Sequence, residues 1–190
     1  MDTRGDIISL IKKIWNILVT FVLIIEATLV IMFTVPNIFG IKPFVVTSGS
    51  MEPKYHVGSL IYVKKMNFNE IKKGDAITFY MSNSNIVATH EVYLIDKENK
   101  LFRTYGINNK DENGNIIKDV NPVKFNNLIG KPIFTISYLG YVNRYITTKP
   151  GIYIVVLVTL FIVGISFIID KKEKKEVEVK ENGKHKRKEK

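Results

Sequence analysis

The chain has 190 residues, no cysteine and a formal net charge of +10. The lack of cysteine excludes disulfides, thiol catalysis and cysteine-based metal sites. The three histidines are not spaced as paired metal ligands on a helix or in a zinc finger, so we expect neither a metal nor a cofactor. The length leaves room for one folded domain beside two apolar stretches.

Much of the positive charge lies in a polar tail, residues 170–190. The tail lacks interleaved aromatic residues and any nucleic-acid-binding motif, so we expect no nucleic-acid partner. A basic segment directly after an apolar run is instead typical of the cytoplasmic end of a membrane protein, with the lipid bilayer as its partner.

The range Ile14–Val35 is an apolar run of 22 residues with one charged residue, Glu26. At about 1.5 Å per residue, such a helix crosses a hydrocarbon core about 30 Å thick. We expect Pro36, Asn37 and Gly40 to end the helix. A cleavable signal peptide would have a shorter apolar core and a small-residue cleavage site, so the pattern favours an uncleaved anchor.

Glu26 stands out because a carboxylate inside a membrane span is energetically costly. Two interpretations carry about equal weight at this point. Glu26 is either a functional side chain, or a protonated or helix-packed one about two turns from the end of the span.

A second apolar run, Gly151–Ile169, is followed by Asp170 and several lysines. It is at the short end of spanning lengths, and its Val and Ile content would also suit a buried strand. The length and the basic flank favour a membrane helix. Two spans place both chain ends on one side, and the basic residues near them place that side in the cytoplasm.

We therefore predict a multi-pass cell-membrane protein of five segments. They are a cytoplasmic N-terminus (1–13), a transmembrane helix (14–35), an extracytoplasmic β domain (36–150), a second transmembrane helix (151–169) and a charged cytoplasmic tail (170–190).

The extracytoplasmic segment is predicted to be a compact multi-stranded β domain, and the chain to be mainly β. Short β-branched or aromatic runs alternate with turn residues, and no stretch of helical period exceeds ten residues. Residues 108–121 are expected to form a polar loop. The predicted strands are Leu60–Val63, Ala76–Tyr80, Ile86–Ile95, Lys100–Tyr105 and Leu128–Ile133.

Ser50 lies in a glycine-containing turn a dozen residues after the first apolar run. Most serines are ordinary surface or turn residues, but Gly49 allows a tight turn and Pro53 stiffens its exit. A hydroxyl becomes nucleophilic when a base takes its proton. Ser48 is either a donor to a developing oxyanion, together with the Ser50 backbone N–H, or the source of an ordinary turn hydrogen bond.

His90 is the candidate base, since an imidazole accepts and returns a proton near neutral pH. On a period of two, Ala88, His90 and Val92 share one face of a strand. A strand histidine taken alone is more often structural. His56 lies only six residues from Ser50, and His185 belongs to the tail predicted on the other side of the membrane.

A carboxylate that orients the imidazole would complete the set. Asp111, Glu112 and Asp119 are candidates in the polar loop. Most such acids are solvated, and the residues alone do not show which one approaches His90.

Taken together, these stretches resemble type I signal peptidases of the peptidase S26 family. The similar branch is the endoplasmic-reticulum type, which includes archaeal and SipW-like Gram-positive enzymes. The resemblance covers roughly residues 40–135 and rests on two boxes about forty residues apart and on three flanking segments. They are Ser48-Gly49-Ser50-Met51-Glu52-Pro53, Ala88-Thr89-His90-Glu91-Val92, Val57–Ile61, Lys73–Phe79 and Leu128–Lys131.

The resemblance implies a membrane-anchored serine endopeptidase that cleaves N-terminal signal peptides from exported precursors. By it, Ser50 is the nucleophile, His90 the general base, and Ser48 with the Ser50 amide the oxyanion hole. The implied substrates carry small residues at the first and third positions before the cut. A membrane anchor on both partners would raise their effective concentration.

One segment departs from the family pattern. Tyr105-Gly106-Ile107-Asn108 stands where the family usually has Lys-Gly-Asp-Asn. Asp119 matches the register of the following strand, whereas Asp111 matches the distance from Gly106 better. The resemblance favours Asp119 as the third catalytic residue, with Asp111 as the alternative, and a Ser–His dyad also remains open.

Two further functions compete with the peptidase. A catalytically silent, surface-displayed β domain that binds an extracellular partner would fit the altered Tyr105 segment, but it would not need Ser48, Ser50 and His90. A self-cleaving relative would be recovered as a shortened chain.

Overall fold

The computed structural model describes residues 3–82 and 84–188. The predicted cytoplasmic ends, 1–13 and 170–190, lie partly outside the described residues. The chain divides into two compact units, one made of Met1–Val30 with Thr148–Lys190 and the other of Ile31–Thr147.

In the described part of the chain, three α-helices account for 45 % of the protein: α1 (Thr3–Ile38), α2 (Leu139–Thr147) and α3 (Lys149–Lys188). Two apolar segments, Ser9–Ile38 and Lys149–Lys172, are long enough to cross a membrane. The protein is therefore a membrane protein with two candidate spans. The prediction of a mainly β chain is correct for the sheet-forming unit and wrong for the chain as a whole, because α1 and α3 are so long.

In the helical unit, α1 and α3 run antiparallel, as the order of three polar contacts along them shows. The contacts are Lys12 Nζ to Asp170 Oδ1 (2.9 Å), Trp15 Nε1 to Ser166 Oγ (2.9 Å) and Thr159 Oγ1 to Glu26 Oε1 (3.0 Å). Glu26 thus accepts a hydrogen bond from the facing helix, which matches the helix-packed interpretation of this residue.

Pro36, Asn37 and Gly40 were predicted to end the first helix. It ends among them, at Ile38, but it continues through Pro36. Proline has no N–H, so the Met32 carbonyl lacks its usual helical donor. The Tyr62 hydroxyl donates to that carbonyl at 3.1 Å. Gly40, at φ +70°, then takes the left-handed conformation that turns the chain out of the helix.

The second unit is built on an eight-stranded antiparallel sheet with the order β1-β2-β8-β3-β4-β5-β6, in which β7 also pairs with β5. Three strands were not predicted: β1, which contains Pro43, and the short strands β6 and β7. The predicted polar loop is partly a hairpin of β5 and β6. The strands are β1 (Ile41–Val45), β2 (Leu60–Lys64), β3 (Ala76–Tyr80), β4 (Val87–Asp96), β5 (Leu101–Lys110), β6 (Ile116–Lys118), β7 (Val123–Lys124) and β8 (Leu128–Ile136).

A buried apolar cluster fixes the strands that carry the candidate site. It comprises Ile71, Ile77, Phe79, Val92, Phe102 and Val123. On β4, His90 lies two residues before buried Val92, and on β5, Thr104 lies two residues after buried Phe102. Because side chains two apart share a face of a strand, packing of the core sets the direction of both polar side chains.

Candidate active site

Ser50 sits in a single 3₁₀ turn, Gly49–Met51, shortly after β1. The Glu52 N–H donates to the Gly49 carbonyl at 3.1 Å and closes the turn. Met51 is 2 % exposed, so its side chain anchors the turn in the interior while Ser50 stays half-buried. The turn therefore presents the hydroxyl from a fixed backbone.

His90 brings one ring nitrogen to this hydroxyl, with Nε2 3.3 Å from Ser50 Oγ. The Phe79 ring meets the imidazole edge-on, at 6.2 Å between centroids. The distance to Ser50 is long for a strong hydrogen bond, yet it lies in the range that unliganded hydrolytic sites show before substrate binds.

Asp119 holds the other ring nitrogen, since its Oδ2 lies 2.6 Å from His90 Nδ1. An ionised carboxylate can only accept, so Nδ1 carries the proton and Nε2 keeps its lone pair toward Ser50. The Thr104 hydroxyl donates to the same oxygen at 2.6 Å. The Asp119 N–H also donates to the Thr104 carbonyl at 2.9 Å, which fixes the backbone beneath the carboxylate.

Asp111 occupies the tip of the β5–β6 hairpin, where its carboxylate accepts from the backbone N–H groups of Asn113 and Asn115 at 3.0 and 2.8 Å. The Asn115 side chain adds a third hydrogen bond at 3.1 Å. These bonds, led by that of the Asn115 side chain, lower the pKa of the Asp111 carboxyl. Glu112 is exposed in the same hairpin. Asp119 is thus the acid that the structure places beside His90.

Ser48 is exposed and precedes the turn, with its Oγ 3.4 Å from Ser50 Oγ. The Ser48 hydroxyl therefore lies next to the hydroxyl of the candidate nucleophile. His56, the rival histidine closest to Ser50 in sequence, is exposed within the segment between the turn and β2.

Three further residues contact the site and were not predicted as site residues, although Gly106 and Asn108 belong to the segment aligned above with the family's Lys-Gly-Asp-Asn. Thr104 is fully buried against Asp119. Gly106 lies so close to the serine turn that a β-carbon on it would be 2.8 Å from the Ser50 carbonyl oxygen. The Asn108 side-chain amide donates to the Gly49 carbonyl at 3.1 Å. All three lie on β5, which packs against the turn.

Tyr105, the first residue of the segment that departs from the family pattern described above, donates from its hydroxyl to Glu91 at 2.6 Å. The hydrogen bond to this carboxylate, followed by burial, raises the pKa of the Tyr105 phenol. Lys54 lies 3.3 Å from the other oxygen of Glu91. Glu91, the residue after His90, thus accepts a hydrogen bond from a neutral phenol and forms an ion pair with Lys54.

A cleft of about 630 Å³ opens over Ser50, His90 and Asp119. Its walls come from the end of β1, the end of β3, the start of β4 and the segment after β6. Most of these walls are apolar, with Phe44, Val46, Tyr55, Phe79, Ile86 and Ala88 among the lining residues. Within residues 3–82 and 84–188, no group of three acidic or histidine side chains is placed to hold a metal ion.

The arrangement can do one kind of chemistry directly. A hydroxyl, an imidazole and a carboxylate form an uninterrupted hydrogen-bonded chain at the floor of an open cleft. Such a chain moves a proton off the hydroxyl as it attacks an electrophile, and the carboxylate stabilises the resulting imidazolium.

Comparison with known proteins agrees with this chemistry. A sequence model of the family described as "Signal peptidase, peptidase S26" matches residues 15–123. The chain is 42 % identical over 120 residues to Signal peptidase I W of Bacillus subtilis (strain 168). This match covers 58 % of this chain and 63 % of that protein. This chain therefore matches less than two thirds of the length of that relative.

More distant similarity extends to two eukaryotic proteins. The chain is 26 % identical over 157 residues to the signal peptidase complex catalytic subunit SEC11C of Homo sapiens, and equally to that of Canis lupus familiaris. Each match covers 79 % of this chain and 82 % of the relative.

Proposed function

Since the chain belongs to the signal peptidase family, peptidase S26, we propose that it is a membrane-anchored serine endopeptidase. Its substrates are exported precursor proteins, from which it removes the N-terminal signal peptide. The observation that carries the proposal is the hydrogen-bonded chain from Ser50 Oγ through His90 to Asp119.

In the first step, Ser50 Oγ attacks the carbonyl carbon of the scissile peptide bond while its proton passes to His90 Nε2. Asp119 holds Nδ1 and stabilises the imidazolium that forms. The carbonyl oxygen gains a negative charge, and the Ser50 N–H and the Ser48 hydroxyl donate hydrogen bonds to it. The 3.4 Å between the two serine oxygens supports this role for Ser48.

The tetrahedral intermediate collapses when His90 returns the proton to the leaving amine nitrogen, and the C–N bond breaks. The mature protein leaves, and the signal peptide remains as an ester on Ser50. Water then attacks the ester, with His90 again accepting the proton, and Ser50 is released. No metal or cofactor takes part in this sequence.

The lining of the cleft favours a substrate whose side chains near Ser50 and His90 are apolar and small. Ala88 and Val46 line it together with Ser50 and His90, and apolar lining residues accept apolar side chains more readily than charged ones. We propose small residues at the first and third positions before the cut, in line with the family resemblance.

Membrane anchoring brings the enzyme and its substrate together. Both Ser9–Ile38 and Lys149–Lys172 are apolar enough to span a bilayer, and a signal peptide is itself apolar. We propose that residues 36–150 face the extracytoplasmic side and that 1–13 and 170–190 are cytoplasmic, because basic residues lie near both ends. Confining enzyme and substrate to one membrane raises their effective concentration.

The test is cleavage of secretory precursors by membranes that contain the wild-type protein, Ser50→Ala or His90→Ala. We expect the wild type to cut after a small-x-small sequence and both variants to lose cleavage while remaining folded and membrane-bound. Ser137→Ala and His56→Ala, which change exposed residues of the same types, are matched controls and should cut normally. Equal cleavage by Ser50→Ala and wild type would refute the proposal.

A further inference from the structure

The Gly49 carbonyl, which directly precedes the nucleophile candidate, accepts two hydrogen bonds. One comes from the Glu52 backbone N–H at 3.1 Å and closes the 3₁₀ turn. The other comes from the Asn108 side chain on β5, also at 3.1 Å. Asn108 is 59 residues away in sequence, so this second bond ties the turn to a different part of the sheet.

This carbonyl shares one rigid peptide plane with the Ser50 N–H. The Gly49–Ser50 peptide is trans, so its C=O and N–H point in opposite directions. Holding the carbonyl therefore fixes the direction in which the N–H points. A donor at the carbonyl oxygen also polarises the peptide, which makes the N–H at its other end a stronger donor.

The path of β5 allows this contact. Between two paired positions, β5 advances from Tyr105 to Lys110 while β6 advances only from Lys118 to Ile116. The extra residues of β5 leave the regular ladder and approach the serine turn. Gly106 makes the approach possible, because a β-carbon there would lie 2.8 Å from the Ser50 carbonyl oxygen.

We propose that Asn108 is a positioning residue of the oxyanion hole. Through the Gly49 carbonyl, its side-chain amide aims and strengthens the Ser50 N–H that receives the developing negative charge. The inference rests on the proposed function, since it concerns the same acyl transfer. The NH₂ end of the amide must face Gly49, because the side-chain oxygen and the carbonyl oxygen are both acceptors.

The inference predicts an effect on the transition state and little effect on substrate binding. Removing a direct oxyanion donor costs about 10²–10³-fold in kcat in other hydrolases. Asn108 acts through another group, so we expect Asn108→Ala to lower kcat about 10-fold and Asn108→Asp more, with KM within about twofold. Asn108→Gln, which keeps an amide donor, should restore part of the rate.

The experiment measures kcat and KM for one precursor peptide with the wild type, the three Asn108 variants and Asn126→Asp. Asn126 is an exposed asparagine on the short helix Phe125–Asn127 and serves as the matched control. Thermal unfolding of each variant is recorded in parallel. Inhibition by a peptide aldehyde is added, because its adduct with Ser50 bears the oxygen that occupies the oxyanion hole.

Support would be a lower kcat, an unchanged KM and weaker aldehyde inhibition in Asn108→Ala, with normal unfolding. A rate equal to that of an active wild type, or a raised KM with unchanged kcat, would overturn the inference and leave the proposed function standing. A lowered unfolding temperature with all constants shifted together would also overturn it. A wild type that cuts no precursor would overturn both proposals.

Discussion

Asp119 and Asp111 are the same residue type, eight positions apart around one β-hairpin, but their surroundings differ. The Asp119 carboxylate receives an imidazole N–H and the Thr104 hydroxyl, both from strands of the domain. Among residues 3–82 and 84–188, the donors to the Asp111 carboxylate are all local and lie two to four positions ahead in its own turn. One acid joins distant parts of the chain, and the other shapes a loop.

The role of each carboxylate thus follows from the donors that reach it. The local donors to Asp111 are backbone N–H groups and an asparagine amide. They stabilise its charge but do not pass a proton to a substrate. The donor to Asp119 is an imidazole whose other nitrogen faces a hydroxyl at 3.3 Å. Changing each acid to its amide should therefore separate catalysis from loop stability.

The largest effect is expected from Asp119→Asn. The amide can donate to Nδ1, which would favour the tautomer that points its proton at Ser50 and leaves no base there. We expect precursor cleavage to fall about 10³–10⁴-fold, as in other serine hydrolases that lose this acid. Initial rates with Asp111→Asn measured beside it are the control. An active Asp119→Asn would abolish the distinction between the two acids.

A smaller effect is expected from Thr104→Val, which keeps the shape of a fully buried side chain and removes its hydroxyl. Asp119 would lose one of its two donors and hold the imidazole less firmly. We expect a loss of about tenfold in kcat/KM, since a hydrogen bond to a charged group contributes about 1.5–3 kcal/mol.

Thr104→Ser keeps the hydroxyl and should retain most of that activity. If both Thr104 variants lose activity equally, packing by the threonine methyl group, and not its hydrogen bond, would account for the loss.

The smallest effect on activity is expected from Asp111→Asn, whose cleavage rate should stay within about twofold of wild type. Its effect should appear in stability. The pKa of Asp111 is lowered in the folded protein, so its contribution is present above the unfolded pKa of about 3.9 and is lost as pH falls through the folded value.

Thermal unfolding measured from about pH 6 down to about pH 3 would show this dependence. Wild type should unfold at a higher temperature than Asp111→Asn near pH 6, and the gap should close below about pH 4. A gap that is independent of pH would show that the charge of Asp111 contributes nothing.

The sequence was informative where chemistry depends on short, local patterns. The Ser-Gly-Ser turn and the strand histidine, read together with the family resemblance, predicted Ser50 and His90 as partners, and their side chains do meet. The buried strands were also predictable, because runs such as Ala76–Tyr80 are rich in β-branched and aromatic residues. The apolar segments at both ends were predictable from length alone, but the continuation of α1 through Pro36 was not, since it depends on Tyr62.

The choice between Asp111 and Asp119 could not be made from spacing. It depends on how far β5 extends before it turns, and the polar residues after Gly106 gave no strand signal. The contact of Asn108 with Gly49 was hidden for the same reason, because it exists only where β5 leaves its regular pairing. Pairing between distant strands sets both contacts, and a local pattern does not record it.

The most direct test of the central claim, that Ser50, His90 and Asp119 act as one unit, is a double-variant comparison. Initial rates of cleavage of one precursor would be measured for His90→Ala, Asp119→Asn and the double variant, over hours so that slow cleavage registers. If Asp119 acts through His90, the double variant will cleave at the same residual rate as His90→Ala. A double variant slower by the full factor of Asp119→Asn would show independent action and contradict the account.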